Sequence, residues 1–172
     1  MSRIAPLKPV DLVVSLRLAE VPEAKYEQLS ADLGISSSTA HASVRRLQEA
    51  GLLRPGSRVV NRLALREFLE HGVRYAFPAR PGAEVRGVPT AHAAPSLAAH
   101  IVAQDALVWP SASGSSIGRA ITPLYPQATE LPQRCPSVYE SLALVDALRV
   151  GRVRERKLAR EELERKLALA AA

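Results

Sequence analysis

The sequence lacks the features of a disulfide-bonded, zinc-binding or membrane protein. Cys135 is its only cysteine, which excludes an internal disulfide and a cysteine-rich zinc site. No run approaches the roughly 18 uninterrupted apolar residues that a membrane-spanning helix needs. The N-terminal stretch MSRIAPLKPVD has no apolar core of the kind found in signal peptides. We therefore expect a cytoplasmic protein with no membrane association.

Acidic residues are scarce in two arginine-rich segments. Between residues 36 and 58 four arginines accompany one glutamate, and from residue 149 to the end eight basic residues accompany four acidic ones. Between residues 95 and 148 the balance of charge reverses, and acidic residues outnumber basic ones. Segregated positive charge suits a polyanionic partner, although a net charge of +6 is also common in proteins that bind none. Apolar residues make up 47% of the 172, enough for one ordinary domain or two small ones.

Three helices are predicted at the N-terminus. Pro9 can occupy the first turn of a helix that runs to about Ala19. Apolar positions at Tyr26, Leu29 and Leu33 indicate a short second helix, which should end at Gly34 because glycine adopts the left-handed conformation without strain. Ser36 is a natural N-cap for a third helix that ends near Gly51. Its inward side chains would be Ala40, Val44 and Leu47.

A hairpin and a fourth helix should follow. In LLRPGSRVVN, Pro55 and Gly56 stand in the order that a type II turn prefers. Asn61 can cap a helix that carries His71 in its last turn and ends at Gly72. These elements complete a predicted first domain, residues 1–72.

Residues 73–136 are predicted to form a small region of short strands and irregular loops. VRYAF, residues 73–77, alternates with the period of a half-buried strand. Nine of the 13 prolines lie between Pro78 and Pro136, too many for long helices. ALVW and RAIT indicate further strands, and one or two helical turns could lie between Ser96 and Ala103.

Residues 137–172 are predicted to form two C-terminal helices, the first capped by Ser137 and the two separated near Gly151. The second, RVRERKLAREELERKLALA, could be another nucleic-acid contact. Glu161 and Glu162 stand four residues before Arg165 and Lys166, which favours a solvated or dimer-forming helix instead. We expect a homodimer formed by these helices. The apolar stripe of the second helix consists of Val153, Ala159, Leu163 and Leu167.

The order helix, short helix, glycine turn, helix and hairpin is typical of a winged helix-turn-helix. Over about residues 8–60 the sequence resembles bacterial regulators of the MarR and ArsR kind, whose LGIS turn, helix and "L..AGLL" it repeats. Ser30, four residues before the turn glycine, replaces the more usual alanine. The resemblance implies a regulator that binds double-stranded DNA, usually as a two-fold dimer.

Helical geometry assigns the outward face of the third helix. Polar residues at i, i+3 and i+4 spacings lie opposite the inward alanine, valine and leucine. Short serines permit close approach to a major groove, where longer side chains can reach base edges or phosphates. Arg46, at the flank, should contact phosphate, and the wing should meet phosphate or the minor groove. The predicted DNA-binding residues are Ser36, Ser37, Ser38, His41, Arg45, Arg46, Gln48, Arg54, Ser57 and Arg58.

Signals for catalysis or metal binding are weak. GSSIG, residues 114–118, matches the G-x-S-x-G nucleophile motif with Ser116 as the nucleophile. All four histidines precede Ser116, however, whereas the motif places its histidine later, and too little chain remains for that fold. His92 and His100 have no carboxylate or cysteine at zinc-site spacing. We therefore expect no enzyme, no cofactor and no metal.

Three aromatic residues are candidates for the lining of an effector pocket. Tyr75, Trp109 and Tyr125 could line one, although core packing is commoner.

The expected fold class is α+β: an N-terminal winged helix-turn-helix, a small mixed domain and C-terminal helices. The expected function is sequence-specific DNA binding by a transcriptional regulator, in particular a repressor. Two alternatives stay open. One is a repressor-antitoxin whose C-terminal region neutralises a partner enzyme encoded nearby, and the other is a winged-helix protein-interaction module that does not bind DNA.

Overall fold

The computed structural model describes residues 5–101 and 105–169, and it confirms the α+β class. Its helices are α1 (Pro9–Glu20), α2 (Tyr26–Leu33), α3 (Ser37–Glu49), α4 (Arg62–Glu67), α5 (Val73–Ala76), α6 (Pro95–Ala98), α7 (Leu131–Arg134), α8 (Pro136–Val150) and α9 (Val153–Leu169). Its strands are β1 (Glu84–Thr90), β2 (Leu107–Pro110) and β3 (Ser116–Ala120). A π-helical turn covers Phe68–Gly72, and 3-10 turns cover Ala91–Ala93 and Pro126–Glu130. No helix among these described residues has the length and apolar character to span a bilayer.

The predicted signals at the ends of the N-terminal helices are confirmed. Gly34 ends α2 in the left-handed conformation, with φ of 66°. The Oγ of Ser36 accepts a hydrogen bond from the Thr39 amide at 3.1 Å, which caps α3. The Asn61 side chain caps α4 in the same way by accepting from the Ala64 amide at 3.3 Å. Each of these residues acts on backbone groups within four residues along the chain. A local sequence pattern is therefore enough to predict its role.

The predicted hairpin is a short wing. Leu53 and Val60 form an antiparallel bridge, and the Arg54 amide donates to the Val59 carbonyl at 2.8 Å. Gly56 turns the chain with φ of 65°.

The predicted strand over residues 73–77 is wrong, and so is the predicted helix end at Gly72. The chain continues from α4 through the π-helical turn into α5. Val73 is buried and Tyr75 is 75% exposed, so the alternating residues do not share one buried face. Gly72 has right-handed helical torsions. It allows the Phe68 ring to lie close, since a Cβ at this position would be 2.7 Å from the Phe68 Cδ2.

In the small sheet each strand pairs with the other two. β1 runs antiparallel to both β2 and β3, which are parallel to each other. The prediction of a strand at ALVW is confirmed, whereas RAIT is only partly a strand because β3 ends at Ala120. The predicted helical turns after Ser96 correspond to α6, and Val102 and Ala103 lie outside the described residues.

Helix α8 lies at the centre of the molecule, in contact with α1, α5, α9 and β1. Its fully buried Asp146 accepts hydrogen bonds from Thr90 Oγ1 at 2.8 Å, Trp109 Nε1 at 2.6 Å and Arg149 Nη1 at 2.6 Å. Arg149 also donates to the Phe77 carbonyl at 2.8 Å. The buried apolar side chains of the predicted three domains form one continuous cluster. The boundaries at residues 72 and 136 stay predictions.

Two predictions about the C-terminal helices are wrong. Ser137 does not cap α8, because Pro136 already occupies the first turn and the Ser137 hydroxyl donates to Glu20 at 2.8 Å. The predicted dimer stripe of α9 is mostly internal. Ala159, Leu163 and Leu167 are buried within the chain, whereas Val153 is 75% exposed. An apolar helix face looks the same in sequence whether its own chain or a second copy covers it.

Candidate DNA interface

The turn between α2 and α3 places α3 as the second helix of a helix-turn-helix. The Ile35 amide donates to the Ser30 carbonyl at 3.2 Å, and Ile35 packs against the core. The predicted inward face of α3 is confirmed, since Ala40, Val44 and Leu47 are buried. The opposite face of α3 must therefore point away from the core.

Four predicted contacts lie on that outward face and are exposed: Ser37, Ser38, His41 and Arg45. The Arg45 side chain is 72% exposed, and its ion-pair partner, Glu49, lies 3.8 Å away. Ser36 is exposed as well, but its hydroxyl is occupied as the cap of α3. The later residues that the structure describes therefore leave this face open to a partner.

Arg46 is buried and does not lie at the exposed flank of α3, where the prediction placed it. Its Nε donates to Asp11 Oδ2 at 2.8 Å and its Nη2 to Asp11 Oδ1 at 2.6 Å. The Nη2 also lies 3.3 Å from the Ser43 Oγ. The hydrogen bonds from Arg46 to Asp11 raise the pKa of Arg46, which stays charged within the buried pair. The residue faces α1 and fixes α3 to it.

The predicted residues Gln48 and Ser57 join α3 to the wing. The Gln48 Nε2 donates to the Ser57 carbonyl at 2.8 Å. The Ser57 hydroxyl lies within the turn, where it donates to the Arg54 carbonyl at 3.3 Å and accepts from the Val59 amide at 3.2 Å. Gln48 and Ser57 are half-buried, whereas Arg54 is exposed. Arg54 is thus the cation that the wing presents to solvent.

Arg58 folds back onto α2 instead of extending from the wing. Its Nη1 donates to the Ala24 carbonyl at 2.6 Å, and its guanidinium carbon lies 5.2 Å from the centre of the Tyr26 ring. The same ring stacks on His41, with centroids 3.5 Å apart and planes inclined by 22°. Sequence reasoning missed Tyr26, because the helical period marked it only as an apolar position of α2.

These side chains surround an open depression on the outward surface of α3. Its volume is about 460 Å³. The lining residues are Tyr26, His41, Ala42, Val44, Arg45 and Gln48. The depression thus brings together the Tyr26 ring, the Arg45 cation and the Gln48 amide.

The other candidate sites are not assembled by the fold. Ser116 begins β3, paired with Gly87, and does not lie at a strand-to-helix turn. Trp109 is buried in the core whereas Tyr75 is 75% exposed, so they do not line a common pocket. Within residues 5–101 and 105–169, no group of three histidine, cysteine or acidic side chains is arranged to hold a metal ion.

One family model matches the chain, over residues 17–54, and its description is winged helix-turn-helix DNA-binding. The match runs from within α1 to the first side of the wing. No curated protein and no solved structure matches the chain. The narrower resemblance to MarR and ArsR regulators stays a prediction. Over residues 17–54 the chain is similar to winged helix-turn-helix DNA-binding domains.

Proposed function

We propose that the protein is a transcriptional regulator that binds a specific sequence of double-stranded DNA through α3 and the wing. The observation that supports this most directly is the uncovered outward face of α3. Ser37 and Ser38 are short enough for the start of α3 to approach base edges. His41 and Arg45 follow one turn apart and can reach bases or phosphates, while Arg54 can meet phosphate beside the groove.

We also propose that it acts as a repressor and binds as a homodimer in the cytoplasm. One winged helix contacts few base pairs, so two half-sites about 10 base pairs apart would raise affinity and fix orientation. Because most of the α9 stripe is buried, the dimer would use another surface.

Selection of bound duplexes from a random pool tests the central claim. We expect one enriched motif, a footprint on the DNA upstream of the gene, and lower output from a promoter that contains the motif. A two-fold symmetric motif together with a dimeric mass in solution would support the homodimer. Failure to enrich any sequence would contradict the proposed function and favour a protein-interaction module.

The repressor-antitoxin alternative is favoured by a separate surface at the start of α9. Arg152, Arg154 and Lys157 are exposed there, and their side chains form no hydrogen bond or ion pair with other described residues. Val153 lies among them and is 75% exposed. Such a basic and apolar surface suits an acidic protein partner. Co-purification with the product of a neighbouring gene, lost on Arg154→Glu with Lys157→Glu while DNA binding remains, would support it.

A further inference from the structure

We infer that Tyr26 is a positioning residue that sets the sequence discrimination of the DNA interface. The inference rests on the proposed function. Tyr26 is the first residue of α2, yet its ring contacts side chains from both α3 and the wing. Its uncharged ring contacts His41 of α3 and Arg58 of the wing.

The ring restrains two predicted DNA-binding side chains at once. His41 lies flat against it at 3.5 Å, and the guanidinium of Arg58 lies 5.2 Å from its centre. Arg58 is held further by its 2.6 Å hydrogen bond to the Ala24 carbonyl, immediately before α2. Three elements, α2, α3 and the wing, therefore meet at one aromatic side chain.

Restraint of His41 and Arg58 affects the preference for one DNA sequence more than the affinity for DNA of any sequence. A long side chain on an open surface occupies several rotamers, and it loses that freedom when it makes a directional contact. A ring that already holds His41 and Arg58 reduces this loss for the contacts that match a specific sequence. Affinity for any duplex depends instead on how many phosphates the cations neutralise.

Removal of the Tyr26 ring should therefore weaken binding to the selected motif without weakening binding to random duplex. Tyr26→Ala keeps every charge of the interface, so affinity for random duplex and its dependence on salt should not change. Affinity for the selected motif should fall about tenfold, because stacking and cation–π support is lost. Tyr26→Phe keeps the ring and should bind the motif within about twofold of the unaltered protein. A phosphate contact by the Tyr26 hydroxyl would instead weaken Tyr26→Phe on both duplexes.

Tyr75 provides a matched control. It is 75% exposed on α5, and Arg74 lies 5.4 Å from its ring centre, so it also combines an aromatic ring with an arginine. The full-length unaltered protein, Tyr26→Phe, Tyr26→Ala and Tyr75→Ala would be titrated with motif and random duplex at four salt concentrations. We expect only Tyr26→Ala to lose discrimination. An unchanged ratio in Tyr26→Ala, or an equal loss on both duplexes, would overturn the inference.

A second measurement covers the case in which Tyr26→Ala does not fold. In the unaltered protein the stacked Tyr26 ring should shift the His41 ring protons upfield in the NMR spectrum. Unshifted His41 protons, with no Tyr26–His41 ring contact, would overturn the inference even if specific binding is found. If the ring contact is seen but no motif is enriched, the proposed function fails, and the discriminating role of Tyr26 with it.

Discussion

Arg46 of α3 donates to both carboxylate oxygens of Asp11 in α1, at 2.8 and 2.6 Å, and both residues are buried. The adjacent Arg45 has a side chain that is 72% exposed. Two consecutive arginines on one helix thus have different surroundings, one in solvent and one in the interior. Arg46 holds α3 against the body of the protein, and Arg45 is available to a partner.

Replacing each arginine in turn should separate folding from binding. Arg45→Ala should weaken motif binding by about 1–3 kcal/mol and change the free energy of unfolding by less than about 0.5 kcal/mol. Arg46→Ala leaves the Asp11 carboxylate buried without its charged partner, so it should lower the free energy of unfolding by about 3–5 kcal/mol. Urea denaturation and duplex titration measure the two quantities. Undiminished stability of Arg46→Ala would contradict the structural role.

The exposed cation of the wing should contribute to the salt dependence of DNA binding. If Arg54 contacts a phosphate, Arg54→Gln should reduce the slope of log affinity against log salt by about 0.9. Arg154→Gln removes the same charge from α9, which packs against α8, and should leave the slope unchanged. Equal reductions in the two variants would show that the slope reports net charge and not a contact at the wing.

The sequence predicted those parts of the site that depend on neighbours along the chain. Ser36, Gly34 and the inward alanine of α3, Ala40, follow from capping, turn chemistry and helical period. The role of Arg46 does not, because its partner Asp11 lies 35 residues earlier and nothing in the local pattern distinguishes it from Arg45. Side chains of the same type acquire different roles only when distant elements pack.

Segments with mixed patterns were the hardest part of the fold to predict. Residues 73–77 alternate like a strand but continue a helix, because packing against α8 and not the local period decides their conformation. Packing against α8 likewise decides that the apolar stripe of α9 is internal. Tyr26 was recognised as apolar, but its neighbours His41 and Arg58 belong to other elements, so its place in the site could not be predicted.

The buried Asp146 should be important for stability. Burial raises its pKa, whereas Arg149, Thr90 and Trp109 act in the opposite direction by charge and hydrogen bonding. Asp146→Asn leaves Arg149 without its carboxylate partner, so it should lower the free energy of unfolding by about 3–5 kcal/mol. Asp105→Asn makes the same change at an exposed position and should have little effect. Similar urea midpoints for the two variants would contradict the role of Asp146.

Tyr139 should make the protein sensitive to alkaline pH. Burial raises its pKa from 10.0 to about 12, and its hydroxyl donates to the Pro89 carbonyl at 2.7 Å. The folded protein therefore holds this proton more tightly than the unfolded chain. Its stabilising contribution is complete below pH 10 and is lost as the pH rises through about 12.

The absorbance of ionised tyrosine near 295 nm measures this titration. Tyr139→Phe should remove a transition near pH 12, whereas Tyr75→Phe, at an exposed position, should leave it in place. Stability would be followed over the same range by thermal melting. A Tyr139→Phe protein that keeps the transition would contradict the assignment.

The turn of the helix-turn-helix touches the region after the wing, and this contact can be tested at Gly34. Gly34 has φ of 66°, and a Cβ there would lie 3.3 Å from the Gln127 Cγ. Gly51 has φ of 74°, but no atom lies within 4 Å of its Cβ position. Gly51→Ala should therefore show the backbone effect alone, about 1–2 kcal/mol. Gly34→Ala should destabilise the protein more, because Gln127 must also move.

Adding Gln127→Ala to Gly34→Ala should recover the stability that Gly34→Ala loses beyond the loss in Gly51→Ala. The reason is that the substitution removes the crowded Gln127 Cγ. Added to Gly51→Ala, Gln127→Ala should leave the effect of the glycine substitution unchanged. Urea denaturation of the variants and the unaltered protein completes the two cycles. Additive effects at Gly34 would mean that the segment Pro126–Glu130 does not press on the turn in solution. The later region would then hold α2 only through contacts such as the 3.1 Å hydrogen bond from Arg134 to the Ala31 carbonyl.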